Sequence, residues 1–322
     1  MPRKYRIGIL GCASIAERYL IPNIIKSPKY VIEGVASRSS KKANDFAQKF
    51  NTSPFYSYEK LLESKVDAVY IPLPNSLHYK WVKKALESKK HVLVEKSMGC
   101  DLKEVRELNK IAEDKGLALV ENFQFRFHPQ LESIKKILKE GALGKIRSVE
   151  SKFGFPPLDE NNIRYKKELG GGALLDAGAY PIKLAQVLFG NEISLSAAIS
   201  YNDKKNNVDL YGSGMLKPAS SDISFYFSFG FDNCYQNSLE IWGSKARMRT
   251  SRIFTAPPGF SPSIEIFNSE EEKEIKLKSA NHFALMLDYF AETIESESQK
   301  KVEYISNINQ SRLIEDFRLQ AS

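Results

Sequence analysis

Cysteine is scarce, with three in 322 residues, at Cys12, Cys100 and Cys234. They are odd in number, far apart and in no C-x-x-C spacing. That argues against a disulfide framework or a cysteine zinc site and fits a reducing, cytoplasmic compartment. Histidine is almost as rare. His78, His91, His128 and His282 lack the spacing of a metal site, so no metal is expected. No run of about 18 apolar residues exists, so no membrane span is expected. The start, MPRKYRIGILG, has only a short apolar run before Gly11, which reads as a first strand and not as a signal peptide. Internal repeats and low-complexity linkers are absent too.

What is present is the composition of a globular protein, 42% hydrophobic, in a chain long enough for two domains. The formal charge of +8 is spread over lysine pairs such as Lys41-Lys42 and Lys83-Lys84. They form no basic stripe with interleaved aromatics, so nucleic acid is not an expected partner. The charge is compatible with an anionic ligand but does not establish one.

The first 122 residues alternate short apolar runs with helical periodicity. Strands are expected at Tyr5–Leu10, Tyr30–Ala36, Ala68–Ile71, 91–94 and 117–122, and helices at 14–26, Ser40–Phe50, 58–63 and 76–88. Asp101 with Glu104 three residues on forms a capping box that opens a further helix, which stops at Gly116. Strands alternating with helices over short loops imply a doubly wound parallel sheet of the Rossmann type. Beyond 122 the pattern changes. Helices are expected at 131–140 and 172–189. From about 146 to 277 the chain otherwise alternates with period two, as in SDISFYFSF, which suits a large, mostly antiparallel sheet. The tail, at 281–297 and 307–318, is helical again. The expectation is a dinucleotide-binding domain over 1–122 and an α/β substrate-binding and oligomerisation domain over 123–322.

GILGCASIA, residues 8–16, closes the first strand and opens the first helix. A dinucleotide fold brings the pyrophosphate close to the backbone there, where helix N-terminal amides can bind it. The usual pattern is G-x-G-x-x-G or A. Here it reads Gly11-Cys12-Ala13-Ser14-Ile15-Ala16, with alanine at the central glycine. The second strand ends in Ser37-Arg38, where an NAD site would place an acid for the ribose 2′-hydroxyl. A hydroxyl and a guanidinium suit a 2′-phosphate, so NADP(H) is expected over NAD.

A second glycine run, GGGALLDAGAY at residues 170–180, places Asp176 and Tyr180 four apart, on one face of an α-helix. Its three glycines would let the backbone pass close to cofactor or substrate.

Pro74-Asn75-Ser76-Leu77-His78, then a helix, then His91-Val92-Leu93-Val94-Glu95-Lys96, together with ENFQFRFHPQ, IRYKKELGGGALLDAGAY, VDLYGSGML and NHFALMLDYF, resembles the Gfo/Idh/MocA family of oxidoreductases over nearly the whole chain. The family signature E-K-P reads Glu95-Lys96-Ser97 here. The resemblance implies that Gly11 to Ile15 lie against the pyrophosphate and that Ser37 and Arg38 meet the adenosine ribose. It puts Leu73, Asn75 and His78 at the border of the cofactor and Glu95 at the nicotinamide ribose. It aims Lys96 at the reacting carbon and carries Arg164 over the cofactor. Tyrosine at 180, where relatives of the inositol-dehydrogenase type have histidine, resembles the sugar ketoreductases and dihydrodiol dehydrogenase of the family.

Reduction of a ketone leaves negative charge on oxygen, and a donor must supply a proton as it develops. A free tyrosine has a pKa of about 10, and an ammonium beside it favours phenolate. Tyr180 is therefore the candidate acid, Lys96 the group that orients the carbonyl and tunes it, and Asp176 a substrate or positioning ligand. Singly, a tyrosine on an apolar helix is more often core than catalyst. The expected reaction is hydride transfer between NADP(H) and a carbonyl or secondary alcohol of a sugar, a nucleotide-linked sugar or a cyclic diol, in a homodimer or homotetramer built through the second sheet. The rivals are a non-catalytic, dinucleotide-sensing regulator on the same fold and a recycling oxidoreductase that never releases its nucleotide.

Overall fold

The computed structural model describes residues 4–219 and 221–321. Six strands, β1 (Tyr5–Leu10), β2 (Tyr30–Ala36), β3 (Ser53–Phe55), β4 (Ala68–Ile71), β5 (His91–Glu95) and β6 (Leu119–Asn122), form a parallel sheet in the order β3-β2-β1-β4-β5-β6. The order reverses between β1 and β4, the switch point where open α/β sheets bind ligands beyond their carboxyl ends. β4 is buried at all four positions, as expected for a parallel strand covered on both faces. Apolar positions of the helix Asn75–Glu87 (Trp81, Val82, Ala85, Leu86) and of the helix Leu102–Asp114 (Val105, Leu108, Ala112) join Val69, Ile71, Val92 and Val94 in one core.

β3 is absent from the sequence expectation. It is three residues long and contains Pro54, too short for any alternation to register. It exists because Gly34–Ala36 of β2 offer it a ladder.

Eight strands make the second sheet, in the order β14-β13-β12-β11-β7-β10-β9-β8: β7 (Ile146–Gly154), β8 (Ile193–Asp203), β9 (Val208–Pro218), β10 (Ser224–Gly230), β11 (Gln236–Gly243), β12 (Arg247–Ser251), β13 (Ser263–Phe267) and β14 (Glu272–Lys276). It is mixed and mostly antiparallel, because β7 and β10 pair in parallel. Alternation is clean in β11 and β12, with every second residue buried. On the buried face lies a helical segment that runs as a π-turn over Leu174–Gly178 and an α-helix over Ala179–Phe189. Gly178 is glycine for a packing reason: a Cβ there would stand 3.0 Å from the Phe229 ring of β10.

By contacts the chain divides into a first unit, up to Asn122 with Phe283–Ile308, and a second, Phe123–His282 with the residues from Asn309 on. The segment Phe283–Ile308, which the sequence expectation grouped with the second domain, is tied into the first unit. Tyr30 donates from its hydroxyl to the Leu287 carbonyl at 2.7 Å, and Asn307 Nδ2 donates to the Leu119 carbonyl at 3.1 Å. Periodicity reveals that a helix buries a face but not against what. Among the described residues no helix is long and apolar enough to cross a membrane, and no group of three His, Cys, Asp or Glu side chains could hold a metal ion.

Candidate active site

The first unit places its glycine turn where β1 ends. Gly11 has φ +127°, a region that favours glycine, and a Cβ there would lie 2.8 Å from Leu73 Cδ2. Leu73 therefore fills the space that Gly11 leaves. Cys12, Ala13 and Ser14 follow, and a continuous helix begins at Ser14. First-turn amides of a helix have no partner within it, which makes this terminus suited to an anion. Cys12 Sγ points at the Lys42 carbonyl at 3.5 Å. Burial pushes its thiol up, against a hydrogen bond from Ser37 and the charge of Lys42.

At the end of β2, Ser37 is buried and Arg38 is exposed. Burial pushes the phenol of Tyr58 up, while Arg38, charged and hydrogen-bonded to it, pulls the other way. Tyr58 thus steadies a guanidinium where no acid is present. The residues fit a dinucleotide with a 2′-phosphate: a glycine turn at a helix N-terminus, a hydroxyl and a cation.

Glu95, last residue of β5, accepts at Oε1 from the Tyr70 hydroxyl and from Asn122 Nδ2, each at 2.6 Å. Burial pushes its carboxyl up, and these two donors and the Lys96 charge counter it. Lys96 follows, half-buried, and the Lys96–Ser97 peptide is cis, with serine in the place of the signature's proline. The turn after Lys96 is pinned on both sides. His78 Nδ1 donates to the Ser97 carbonyl at 2.6 Å, and Glu121 accepts from the Met98 amide at 2.8 Å. His78 is fully buried, and burial pushes its pKa down to about 4. Its contact is with the backbone behind Lys96. Asn75 opens the helix after β4.

The second unit carries the other candidates. Tyr180 is 7% exposed, and its ring lies among Phe123, Phe125, Phe153 and Phe254 at centroid distances of 5.0–5.8 Å. Asp176 sits in the wider π-turn, not in a regular α-helix as the i, i+4 reading assumed, and accepts from Arg164 Nε at 2.6 Å. Arg164 is held in its charged form first by Asp176 and, more weakly, by Tyr180, so a fixed guanidinium stands within electrostatic reach of the phenol.

The glycine run has a local cause. A Cβ on Gly171 would overlap the Arg164 carbonyl, and one on Gly172, at φ +113°, would overlap the Asp209 carboxylate. Protein atoms, not an approaching ligand, take the space these two leave. Sequence reasoning missed three features: the aromatic cage, the Arg164–Asp176 pair and Asp209. The run ENFQFRF held part of the first signal, since two of its phenylalanines face Tyr180. Phe153 belongs to the cage, whereas Tyr201 stacks on Tyr211 with about half its surface exposed.

A six-stranded doubly wound sheet with a glycine turn after its first strand defines a dinucleotide-binding class. Residues 5–123 match a family model described as an oxidoreductase family with an NAD-binding Rossmann fold, and 131–249 match the GFO/IDH/MocA C-terminal domain. The chain belongs to the Gfo/Idh/MocA family. It is 34% identical over 98% of its length, and 95% of the relative's, to a dTDP-3,4-didehydro-2,6-dideoxy-alpha-D-glucose 3-reductase of Actinomadura kijaniata. It is 36% identical to the Streptomyces violaceoruber enzyme of the same name, over 92% of this chain and 87% of that one. A crystal structure of a 3-ketoreductase from Actinomadura kijaniata in complex with NADP and TDP-benzene superposes with a TM-score of 0.95 at 33% identity, covering 99% of this chain and 98% of that one. Structures of the same ketoreductase with one tyrosine changed to phenylalanine, or one lysine to alanine or glutamate, are similar to this chain as well.

Proposed function

We propose that this protein is an NADPH-dependent ketoreductase acting on a nucleotide-linked keto-deoxysugar. The observation that carries the reading is Tyr180: a phenol gripped by four aromatic rings beside a guanidinium clamped by Asp176. A packing tyrosine needs no such charge. A proton donor does, because a nearby cation favours the phenolate left after donation. The relatives' names supply the substrate class. A further support lies in spacing. The lysine and the tyrosine altered in the ketoreductase variants are separated along that chain by as many residues as Lys96 and Tyr180 are here.

Gly11, Cys12, Ala13, Ser14 and Ile15 would hold the pyrophosphate, and Ser37 and Arg38 the 2′-phosphate. Leu73 and Asn75 would border the cofactor, Glu95 would take the nicotinamide ribose, and Arg164 would reach its outer side. When bound, the nicotinamide supplies the hydride. Tyr180 would donate its phenolic proton to the carbonyl oxygen as charge develops there, and Lys96 would orient the carbonyl and stabilise that charge. Asp176 holds Arg164. His78 acts through Ser97 and fixes the turn from which Lys96 projects.

The test is turnover of NADPH and of NADH against a panel of nucleotide-linked and free keto-sugars. Reduction of a nucleotide-linked member, with NADPH the better cofactor, supports the reading. Activity confined to free sugars or diols, or clear NADH preference, refutes it.

We place this chemistry in the cytoplasm, in keeping with three free cysteines, and in a homodimer or homotetramer. One face of the second sheet exposes Trp242 at 63%, with Ile199 and Tyr226 on the same side. Trp242→Glu is expected to lower the solution mass measured by light scattering. An unchanged oligomer mass would remove that face as the interface.

A further inference from the structure

The motif VDLYGSGML has no part in the chemistry above, yet its first half is fastened to the start of the helical segment that carries Tyr180. Asp209, the second residue of β9, accepts from the backbone amide of Leu174, where the π-turn begins, and also from the amide of Ala173. Those are the first amides of the segment that carries Asp176 and Tyr180. A helix leaves such amides without partners, and a side-chain acceptor at its start fixes where the helix begins. The residue at the N-cap of the π-turn, Ala173, makes no side-chain cap of its own.

The seat of this carboxylate is built. Gly172 at φ +113° leaves the room that Asp209 Oδ1 occupies. Beyond it lies a cavity of about 160 Å³ lined by Ser200, Asn202, Phe317 and Arg318. Burial pushes the Asp209 carboxyl up, while the Leu174 and Ala173 amides and the Arg318 charge pull it back toward the ionised form. The rest of the motif serves the same packing. Cβ atoms on Gly212 and Gly214 would press on the Phe229 and Phe227 rings, and Phe229 is the ring that meets Gly178, two residues before Tyr180.

We propose that Asp209 is a positioning residue for the reduction: by holding the Ala173 and Leu174 amides it sets the register of the helix and so the place of the Tyr180 hydroxyl. Asp209 touches neither substrate nor cofactor in this role. It acts through Tyr180, so the inference rests on the ketoreductase reading. It also explains the last of the consecutive glycines, since Gly172 must lack a side chain for the carboxylate to reach the amides.

The experiment compares the full-length protein with Asp209→Asn, which keeps the shape and one acceptor oxygen, and with Asp209→Ala. Three quantities are read: amide hydrogen exchange over residues 173–180, kcat against the NADPH dissociation constant, and the isotope effect on kcat with NADPH deuterated at the transferred hydrogen. The expected result is graded. Exchange over 173–180 rises at least tenfold in Asp209→Ala and less in Asp209→Asn, with other core segments unchanged. kcat falls about 10- to 100-fold, the scale of a misplacement near 1 Å, while the NADPH dissociation constant stays within twofold. The isotope effect grows as the chemical step becomes limiting. A role confined to stability would leave the isotope effect unchanged and lower all activities together with the folded fraction. That result overturns the proposal, as does unchanged exchange over 173–180 in either variant. Should Asp209→Ala fail to fold, Asp209→Asn decides alone. A parent protein that turns over no keto-sugar sinks the ketoreductase reading and leaves the positioning claim to be judged by exchange.

Discussion

Tyr180→Phe separates the two jobs a buried tyrosine can have. The ring is 7% exposed and sits against four phenylalanines at 5.0–5.8 Å, so phenylalanine keeps those contacts and leaves no ring-sized hole. Volume-conserving core changes cost under about 1.5 kcal/mol, whereas truncation to alanine would cost about 3–5 kcal/mol and confuse stability with chemistry. What the phenylalanine lacks is the donor. A positioned general acid contributes about 10²–10⁴-fold, which is about 2.7–5.4 kcal/mol of barrier at 1.36 kcal/mol per decade. The assay is steady-state NADPH oxidation with a keto-sugar that the parent reduces, alongside thermal unfolding and NADPH binding by fluorescence. kcat is expected to fall by at least about a hundredfold, the unfolding temperature to stay within a few degrees, and cofactor affinity to hold, because the cofactor candidates on the glycine turn and at Arg38 are untouched. A kcat within threefold of the parent, with normal stability, would make Tyr180 a packing residue and remove the core of the mechanism.

Arg38→Glu is expected to raise the KM for NADPH by about 10- to 150-fold, the value of one charge-assisted hydrogen bond of about 1.5–3 kcal/mol. NADH kinetics should stay as they were or improve, and equal damage to both cofactors would refute the assignment. In a cycle with Arg164→Gln and Asp176→Asn, the double variant should be little slower than Arg164→Gln alone, with a coupling of about 1–3 kcal/mol. Additive losses would mean that Asp176 touches substrate on its own. His78 carries a pH prediction. Its folded pKa of about 4 lies below the ordinary value of 6.5, so it contributes stability that is present above about 6.5 and lost as the pH falls toward 4. The full loss is about 3 kcal/mol at 1.36 kcal/mol per unit. Urea unfolding of the parent and of His78→Gln at pH 7 and pH 4 should show a flatter pH dependence in the variant, and parallel curves would contradict it.

The doubly wound sheet was legible because its strands are short apolar runs set between helices of clear periodicity. Asp101 capped its helix as the capping box implied, accepting from the Glu104 amide at 2.8 Å. β3 was illegible for the opposite reason: three residues around Pro54 carry no pattern and pair only because β2 presents an edge. The mixed character of the second sheet was hidden likewise, since alternation states which face is buried but not which neighbour a strand takes. β7 pairs with β10 in parallel across some seventy residues of chain. At the candidate site, residue types carried the reading and geometry revised it. Asp176 and Tyr180 were read as partners on one helical face, yet the π-turn turns Asp176 to Arg164. The glycines of 170–172 were read as room for a ligand, and Arg164 and Asp209 use that room at two of them.

The two candidate catalytic groups have different chemistry but the same kind of support. Behind Lys96, buried His78 binds the Ser97 carbonyl and Glu121 binds the Met98 amide. Ahead of Tyr180, Asp209 binds the Leu174 amide at the start of the same helical segment. In each case a polar side chain, distant in sequence, fastens the backbone of the segment that carries a candidate reactive residue; His78 and Glu121 are buried and Asp209 is half-buried. A buried acceptor or donor left without its partner costs more than the bond contributes, so each such pair resists displacement in a way that apolar packing alone does not. This arrangement accounts for why the motifs surrounding the candidate residues contain His78, Glu121 and Asp209 although none of the three is needed to move a hydride or a proton. It also separates what substitutions should do: changes at Lys96 or Tyr180 remove a chemical step, whereas changes at His78, Glu121 or Asp209 leave the step possible and misplace the group that performs it, so their losses should shrink when a slower, less position-sensitive substrate is used.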